Sequence, residues 1–83
     1  MRTSRILATN ILRVLSHVSE GVREKILRAE VEIAIDGASI TSDEFADALA
    51  DLEERKLIAN RRNLIGDIVW SITPAGNAAL QGK

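Results

Sequence analysis

The run Thr41-Ser42-Asp43-Glu44-Phe45-Ala46-Asp47-Ala48-Leu49-Ala50-Asp51-Leu52-Glu53-Glu54-Arg55-Lys56-Leu57-Ile58 decides the fold. Thr41 followed three residues later by Glu44 is a capping box, in which each side chain satisfies the other's backbone N–H, so a helix opens at Thr41 or Ser42. Acidic residues in its first turn suit the helix dipole. Phe45, Leu49 and Leu52, with Ala48 beside them, form one apolar stripe at helical spacing, and Leu57 and Ile58 carry the chain onward into a core. The same helix holds Asp43, Glu44, Asp47, Asp51, Glu53 and Glu54, half of the twelve acids of the chain, with no basic residue before Arg55.

Beyond this helix, Ile58 to Ile65 and Ile68 to Thr73 flank Gly66-Asp67, and a Gly-X pair suits the II′ turn of a tight β-hairpin. Ile68, Trp70 and Ile72 alternate with Val69, Ser71 and Thr73, which places Trp70 in the core. Leu64, Ile65 and Ile68 bracket the turn. Period-2 alternation does not let all three face inward, so part of the hairpin tip is an exposed apolar surface. Thr73 caps a last short helix with Pro74 at its first position, where a missing N–H costs nothing, and Ala75 to Gln81 completes it.

Before Thr41, Thr3 or Ser4 is positioned to cap a first helix whose core stripe is Leu7, Ile11, Leu15 and Val18, flanked by Ile6 and Val14. Ser19-Glu20-Gly21 reads as its stop. From Val22 to Ile35 the residues Val22, Ile26, Ala29 and Ile33 recur at helical spacing, and Glu24 with Arg28 forms an i,i+4 pair. A second helix is expected there, against the strand-like alternation of Val31-Glu32-Ile33-Ala34-Ile35. Asp36-Gly37-Ala38-Ser39 is a turn composition separating it from the third helix.

Eighty-three residues, 46% hydrophobic and 28% charged, describe one small globular domain, taken as residues 1–83. Burial in so short a chain is limited, so stability is expected to be marginal. There is no cysteine, hence no disulfide, thiolate nucleophile or cysteine-ligated zinc. No apolar run approaches the roughly 20 residues of a membrane span, nor does the N-terminus have a signal-peptide pattern, so a cytoplasmic protein is expected. The formal net charge of −1 removes the global signature of a non-specific nucleic-acid binder and leaves the distribution of charge to decide.

Helix, helix, turn, helix, hairpin, short helix is the order of a winged helix-turn-helix domain: α+β, with a three-helix core, a two-stranded β-hairpin wing and a short C-terminal helix. Phe45 to Ile58 resembles the leucine-spaced end of the recognition helix in MarR-like and PadR-like bacterial regulators. Ile72-Thr73-Pro74-Ala75-Gly76 resembles the segment with which those families leave the wing. The resemblance covers roughly Ile40 to Leu80. It implies a transcription-regulator-like, DNA-binding protein whose third helix lies in the major groove while the wing contacts phosphates or the minor groove. Carried over, the reading positions are Ser42, Asp43, Asp47, Ala50 and Asp51, and the wing positions are Asn60, Arg61, Arg62 and Asn63. The chain departs from these relatives at Lys56, where they commonly have a glycine in a left-handed cap, and in the acidity of the third helix, which a phosphate-lined groove repels.

Two functional readings follow. In the first, duplex DNA is bound through Arg2, Arg5, Arg61 and Arg62 on phosphates, with Ser42 and Asn60 alongside. In the second, the domain is a protein-interaction module without DNA binding, docking another protein or a second copy through the acidic helix (Asp43, Asp47, Asp51, Glu54) or the apolar wing tip (Leu64, Ile65). No nucleophile elbow, P-loop or paired-histidine spacing is present, so no catalytic residues, cofactor or metal are expected and the chain is read as a non-enzyme. His17, near the end of the first helix, reads as a surface residue favoured there by the dipole.

Overall fold

The computed structural model describes residues 2–35 and 40–81, with side chains from residue 6 onward. The third helix, α3 (Ser42–Glu54), forms as its sequence dictates. Thr41 accepts the Glu44 N–H at 3.1 Å while Glu44 accepts the Thr41 N–H at 3.1 Å. Phe45, Ala48, Leu49 and Leu52 are all buried. Its C-terminal end is a Schellman motif: the Lys56 N–H donates to the Glu53 carbonyl at 2.9 Å and the Leu57 N–H to the Leu52 carbonyl at 3.0 Å. This closure places Lys56 at φ 64°, the left-handed conformation expected of it.

Around α3 are arranged α1 (Arg2–Ser16), β1 (Val22–Arg23), α2 (Glu24–Ala34), β2 (Ile58–Arg62), β3 (Ile68–Ile72) and α4 (Pro74–Leu80). The strands make an antiparallel sheet in the order β1-β3-β2, one strand more than the expected hairpin. Val22 pairs with Trp70 and Arg23 with Val69. A two-residue strand has no periodicity to read, and here Gly21 creates it. Gly21 turns the chain at φ 99°, and a Cβ there would meet Val69 Cγ1 at 2.8 Å and the Trp70 carbonyl at 3.0 Å, so only glycine brings β1 against β3.

Val22 is therefore buried from a strand, and α2 starts at Glu24. With Val22 removed from the helix, the expected stripe is wrong. Leu27 and Val31 are the buried residues of α2 and Ile35 packs beside them, whereas Ile26 (47% exposed), Ala29 and Ile33 (74%) face outward. Both faces of this helix are apolar, and only the core selects between them. The Glu24–Arg28 pair is also replaced. Glu24 instead accepts the indole N–H of Trp70 at 2.9 Å, and Arg28 pairs with Glu32 at 3.5 Å.

In α1, Leu7, Ile11 and Leu15 are buried as expected, joined by Leu12, which the stripe omitted. The helix begins at Arg2, so Thr3 and Ser4 lie inside its first turn rather than at its cap, and it ends at Ser16, which leaves Val18 beyond it and 39% exposed. The turn expected at residues 36–39 lies outside the described residues.

The wing differs from the expected two-residue hairpin. Its strands stop at Arg62 and resume at Ile68, leaving a loop of residues 63–67. The Asn63 side-chain carbonyl accepts the N–H groups of Ile65 at 3.0 Å and Asp67 at 2.9 Å, an Asx turn that closes a longer loop than Gly-Asp alone would need. Leu64 and Ile65 fall in this loop and are exposed, while Ile68 is half-buried. Trp70 joins the core with Ile58, and Val69, on the opposite face of the sheet, is also buried. Thr73 caps α4 as expected, accepting the Gly76 N–H at 3.0 Å and donating to the Lys56 carbonyl at 2.7 Å, which ties the exit of the wing to the end of α3.

Candidate nucleic-acid interface

The face of α3 opposite Phe45, Leu49 and Leu52 carries Asp43, Asp47, Ala50 and Glu54 by helical spacing, all exposed. Asp51 lies to one side and pairs with Arg55 at 3.3 Å. Asp43, Asp47 and Glu54 have no ion partner among the described residues. A helix that reads DNA from the major groove would bring this face against base edges and between phosphates, and it offers three carboxylates and one methyl group. Ser42, at the first turn, accepts a hydrogen bond from Arg28 at 2.9 Å, and the same guanidinium donates to the Ile40 carbonyl at 2.8 Å. Arg28 thus clamps the start of α3 to α2.

Arg61 and Arg62 do not converge. Strand geometry sends successive side chains to opposite faces, and the pairings Arg61 with Val69 and Arg62 with Ile68 place them on the two sides of the wing. The Arg61 guanidinium reaches back to the Glu20 carbonyl at 3.1 Å, beside the α1–β1 turn. Arg62 lies on the face shared with Asn60 and Ile58, where Asn60 is held by a hydrogen bond to Glu53 of α3. The side chains of Arg2 and Arg5 lie outside the described residues.

Arg62, whose guanidinium donates to the Gly66 carbonyl at 3.3 Å, instead lines one cleft with two further cations, of which Arg23 pairs with Val69 on the Arg61 side of the sheet. Arg23 from β1 and Lys25 from the first turn of α2 line, with Arg62, a cleft of about 430 Å³ completed by Glu24, Ile26, Gly66, Asp67 and Ile68. Both acids in this cleft are engaged: Glu24 by Trp70, and Asp67 by Arg23 at 3.5 Å. The sequence signal for Arg23 was available only to a reader who had placed a strand before α2, because pairing with β3 is what carries Arg23 and Lys25 to the wing. Among the described residues no three of His, Asp and Glu gather as metal ligands, and no helix is long and apolar enough to cross a membrane. His17 is exposed, as expected.

Helices α2 and α3, the three-stranded sheet and its protruding β2–β3 loop together define a winged helix. No family model and no curated protein matches the sequence. Among solved structures, a transcriptional regulator of the MarR family from Silicibacter pomeroyi superposes with a TM-score of 0.76 over 92% of this chain at 18% identity. The likeness establishes the fold expected from the Phe45–Ile58 and Ile72–Gly76 segments. This chain spans 47% of the length of that regulator.

Proposed function

We propose that the chain is a winged-helix, transcription-regulator-type module that holds duplex DNA by its phosphates, through Arg23, Lys25 and Arg62, with α3 contributing little to base reading. The observation that carries this reading is the convergence of those three cations, from three different elements, on one cleft beside the wing. Phosphate contacts fix a protein on DNA without reading sequence, which suits a chain whose third helix offers carboxylates in place of the arginine and asparagine donors of direct readout. The regulator-type fold of the superposed structure supports the same reading. Fluorescence anisotropy with a mixed-sequence duplex at low salt tests it: Lys25→Glu with Arg62→Glu abolishes binding, while Arg61→Glu, on the other face, leaves most of it. Equal loss from both, or no binding by the unaltered protein, removes the proposal.

A second reading rests on the outward carboxylates of α3. Asp43, Asp47 and Glu54 face solvent with no ion partner among the described residues, and such a face complements a basic protein surface. It becomes the better account if DNA binding is absent and Asp43→Asn with Asp47→Asn weakens capture of a basic partner.

A further inference from the structure

The sheet has two edges, and β2, Ile58–Arg62, is the longer of them, against two residues in β1. The phase of hydrogen bonding along β2 is fixed at both of its ends. The Thr73 N–H donates to the Leu57 carbonyl at 3.0 Å, and the Asn63 N–H donates to the Asp67 carbonyl at 2.9 Å. Bonded pairs alternate with non-bonded ones in an antiparallel ladder, so Leu57, Ala59, Arg61 and Asn63 turn their amides and carbonyls toward β3. Ile58, Asn60 and Arg62 turn theirs to the outer edge. Ile58 is buried, whereas Ala59 to Arg62 are exposed, and no group elsewhere among the described residues bonds the main chain of Asn60 or Arg62. Free amides and carbonyls along a strand are a template for another extended chain.

We propose that the β2 edge binds an extended acidic peptide segment of another protein, which adds a strand to the sheet. The main chain of Asn60 and Arg62 holds the peptide, and charge selects it. Arg61 and Arg62 project to opposite faces of the wing, and neither belongs to an ion pair among the described residues. Side chains of an extended peptide alternate in the same way, so two neighbouring carboxylates fall one on each face and meet both arginines across the strands. The alternation that keeps Arg61 and Arg62 from converging on one phosphate therefore fits them to an acidic strand.

A second copy does not supply this partner. Its own edge, Ile58-Ala59-Asn60-Arg61-Arg62, carries two cations and no carboxylate. Charge on an edge keeps like edges apart and leaves it open to an edge of opposite sign. At the start of the strand, Asn60 donates to Glu53, so the acids of α3 lie toward Ile58 and the acidic pair of the peptide belongs beside Arg61 and Arg62. The proposal shares Arg62 with the DNA reading but does not rest on it.

Fluorescence anisotropy of a labelled hexapeptide, threonine and valine around a central Glu-Asp pair, titrated with the full chain, tests this. The expected result is saturable binding that a Gln-Asn centre weakens by about tenfold. N-methylation of alternate peptide amides should abolish binding in one phase and spare it in the other, because only one set of amides faces β2. Asn60→Pro withdraws an outward N–H while Ala59 and Arg61 keep the ladder to β3, so it should lose the peptide, and circular dichroism checks that it folds. Arg61→Glu should weaken the peptide and leave most duplex binding, and Lys25→Glu should do the reverse, which separates failure here from failure of the DNA reading. No binding of the acidic peptide overturns the proposal. So does binding that both methylation phases spare, which is charge attraction without strand pairing. An Arg61→Glu variant that loses duplex DNA and keeps the peptide assigns the edge to nucleic acid, and self-association lost in Asn60→Pro without peptide binding assigns it to a second copy; each overturns it too.

Discussion

The α-carbon of Gly76 faces the Leu57 carbonyl oxygen with no room for a side chain between them, and Ile72 Cγ1 closes the same space from the wing, 2.7 Å from where a Cβ would stand. Gly76 is thus fixed by packing, since its φ lies outside the left-handed region. The three elements that meet there are the end of α3, the exit of β3 and the first turn of α4, so an added methyl group must push one of them away. Gly76→Ala is expected to destabilise the protein by about 1–3 kcal/mol, the usual range for overpacking, despite alanine's better helix propensity. Urea titration measures it, and a stabilised variant would show that α4 shifts freely on the core.

Lys56 makes the opposite case. It holds φ 64° at the end of α3 so that two amides can close the Schellman motif, a conformation in which a Cβ is penalised and glycine is not. Lys56 is exposed and belongs to no ion pair among the described residues, so little is lost with its side chain. Lys56→Gly should raise stability by about 1 kcal/mol. A loss of similar size in the same titration would contradict the left-handed cap.

These two positions show what the sequence made legible. Local chemistry was readable wherever one residue type answers one local demand: the Thr41–Glu44 box, the cap by Thr73 and Pro74, and the turn at Lys56 all stand where expected. The phase of α2 was not readable, because Ile26 and Ile33 are as apolar as Leu27 and Val31 and only the packed core distinguishes them. Strand β1 escaped notice because its two residues are recruited by β3 across 46 to 48 positions of chain, with Gly21 permitting the approach. The candidate site suffered from the same gap. Without β1, nothing carries Arg23 and Lys25 to the wing, and neighbouring Arg61 and Arg62 look like a pair.

Leu52 is 2% exposed, at the meeting of α3 with the core, and its carbonyl anchors the Schellman closure. Truncation to alanine leaves a cavity bounded by helices and sheet. The expected cost of Leu52→Ala is about 2–5 kcal/mol. In a domain of this size that is a large share of the stability. A loss below about 1 kcal/mol would mean that the neighbouring side chains collapse into the space.

Trp70 is 6% exposed, and the partner of its indole N–H is Glu24, at 2.9 Å. Glu24→Ala would leave a buried donor unsatisfied, at a cost of about 1–3 kcal/mol, while Glu24→Gln keeps an acceptor and should recover most of it. Tryptophan fluorescence during unfolding follows both variants directly. Equal stability of the two would indicate that water replaces the carboxylate.

The salt dependence of DNA binding provides the sharpest test of the basic cleft. Lys25 and Arg62 have no ion partner among the described residues whereas Arg23 pairs with Asp67, so two to three phosphates per protomer are the expected contacts, and the slope of log K against log salt should lie between about −1.8 and −2.7, that is, roughly −0.9 for each. Arg61→Glu should leave that slope nearly unchanged, because its guanidinium serves the Glu20 carbonyl on the far face, while Lys25→Ala should reduce it by about one unit. The carboxylates of α3 act in the other direction. Asp43→Asn with Asp47→Asn removes two like charges from the face that approaches the duplex and should strengthen binding at every salt concentration, most at low salt, where screening is weakest. Sequence preference should stay small through all of these changes, since the outward face of α3 carries no arginine or lysine to make the bidentate contact to guanine and the arginines of the cleft are assigned to phosphates. A slope indifferent to Lys25, or an affinity indifferent to Asp43 and Asp47, would mean that the wing cleft is not where this protein meets DNA.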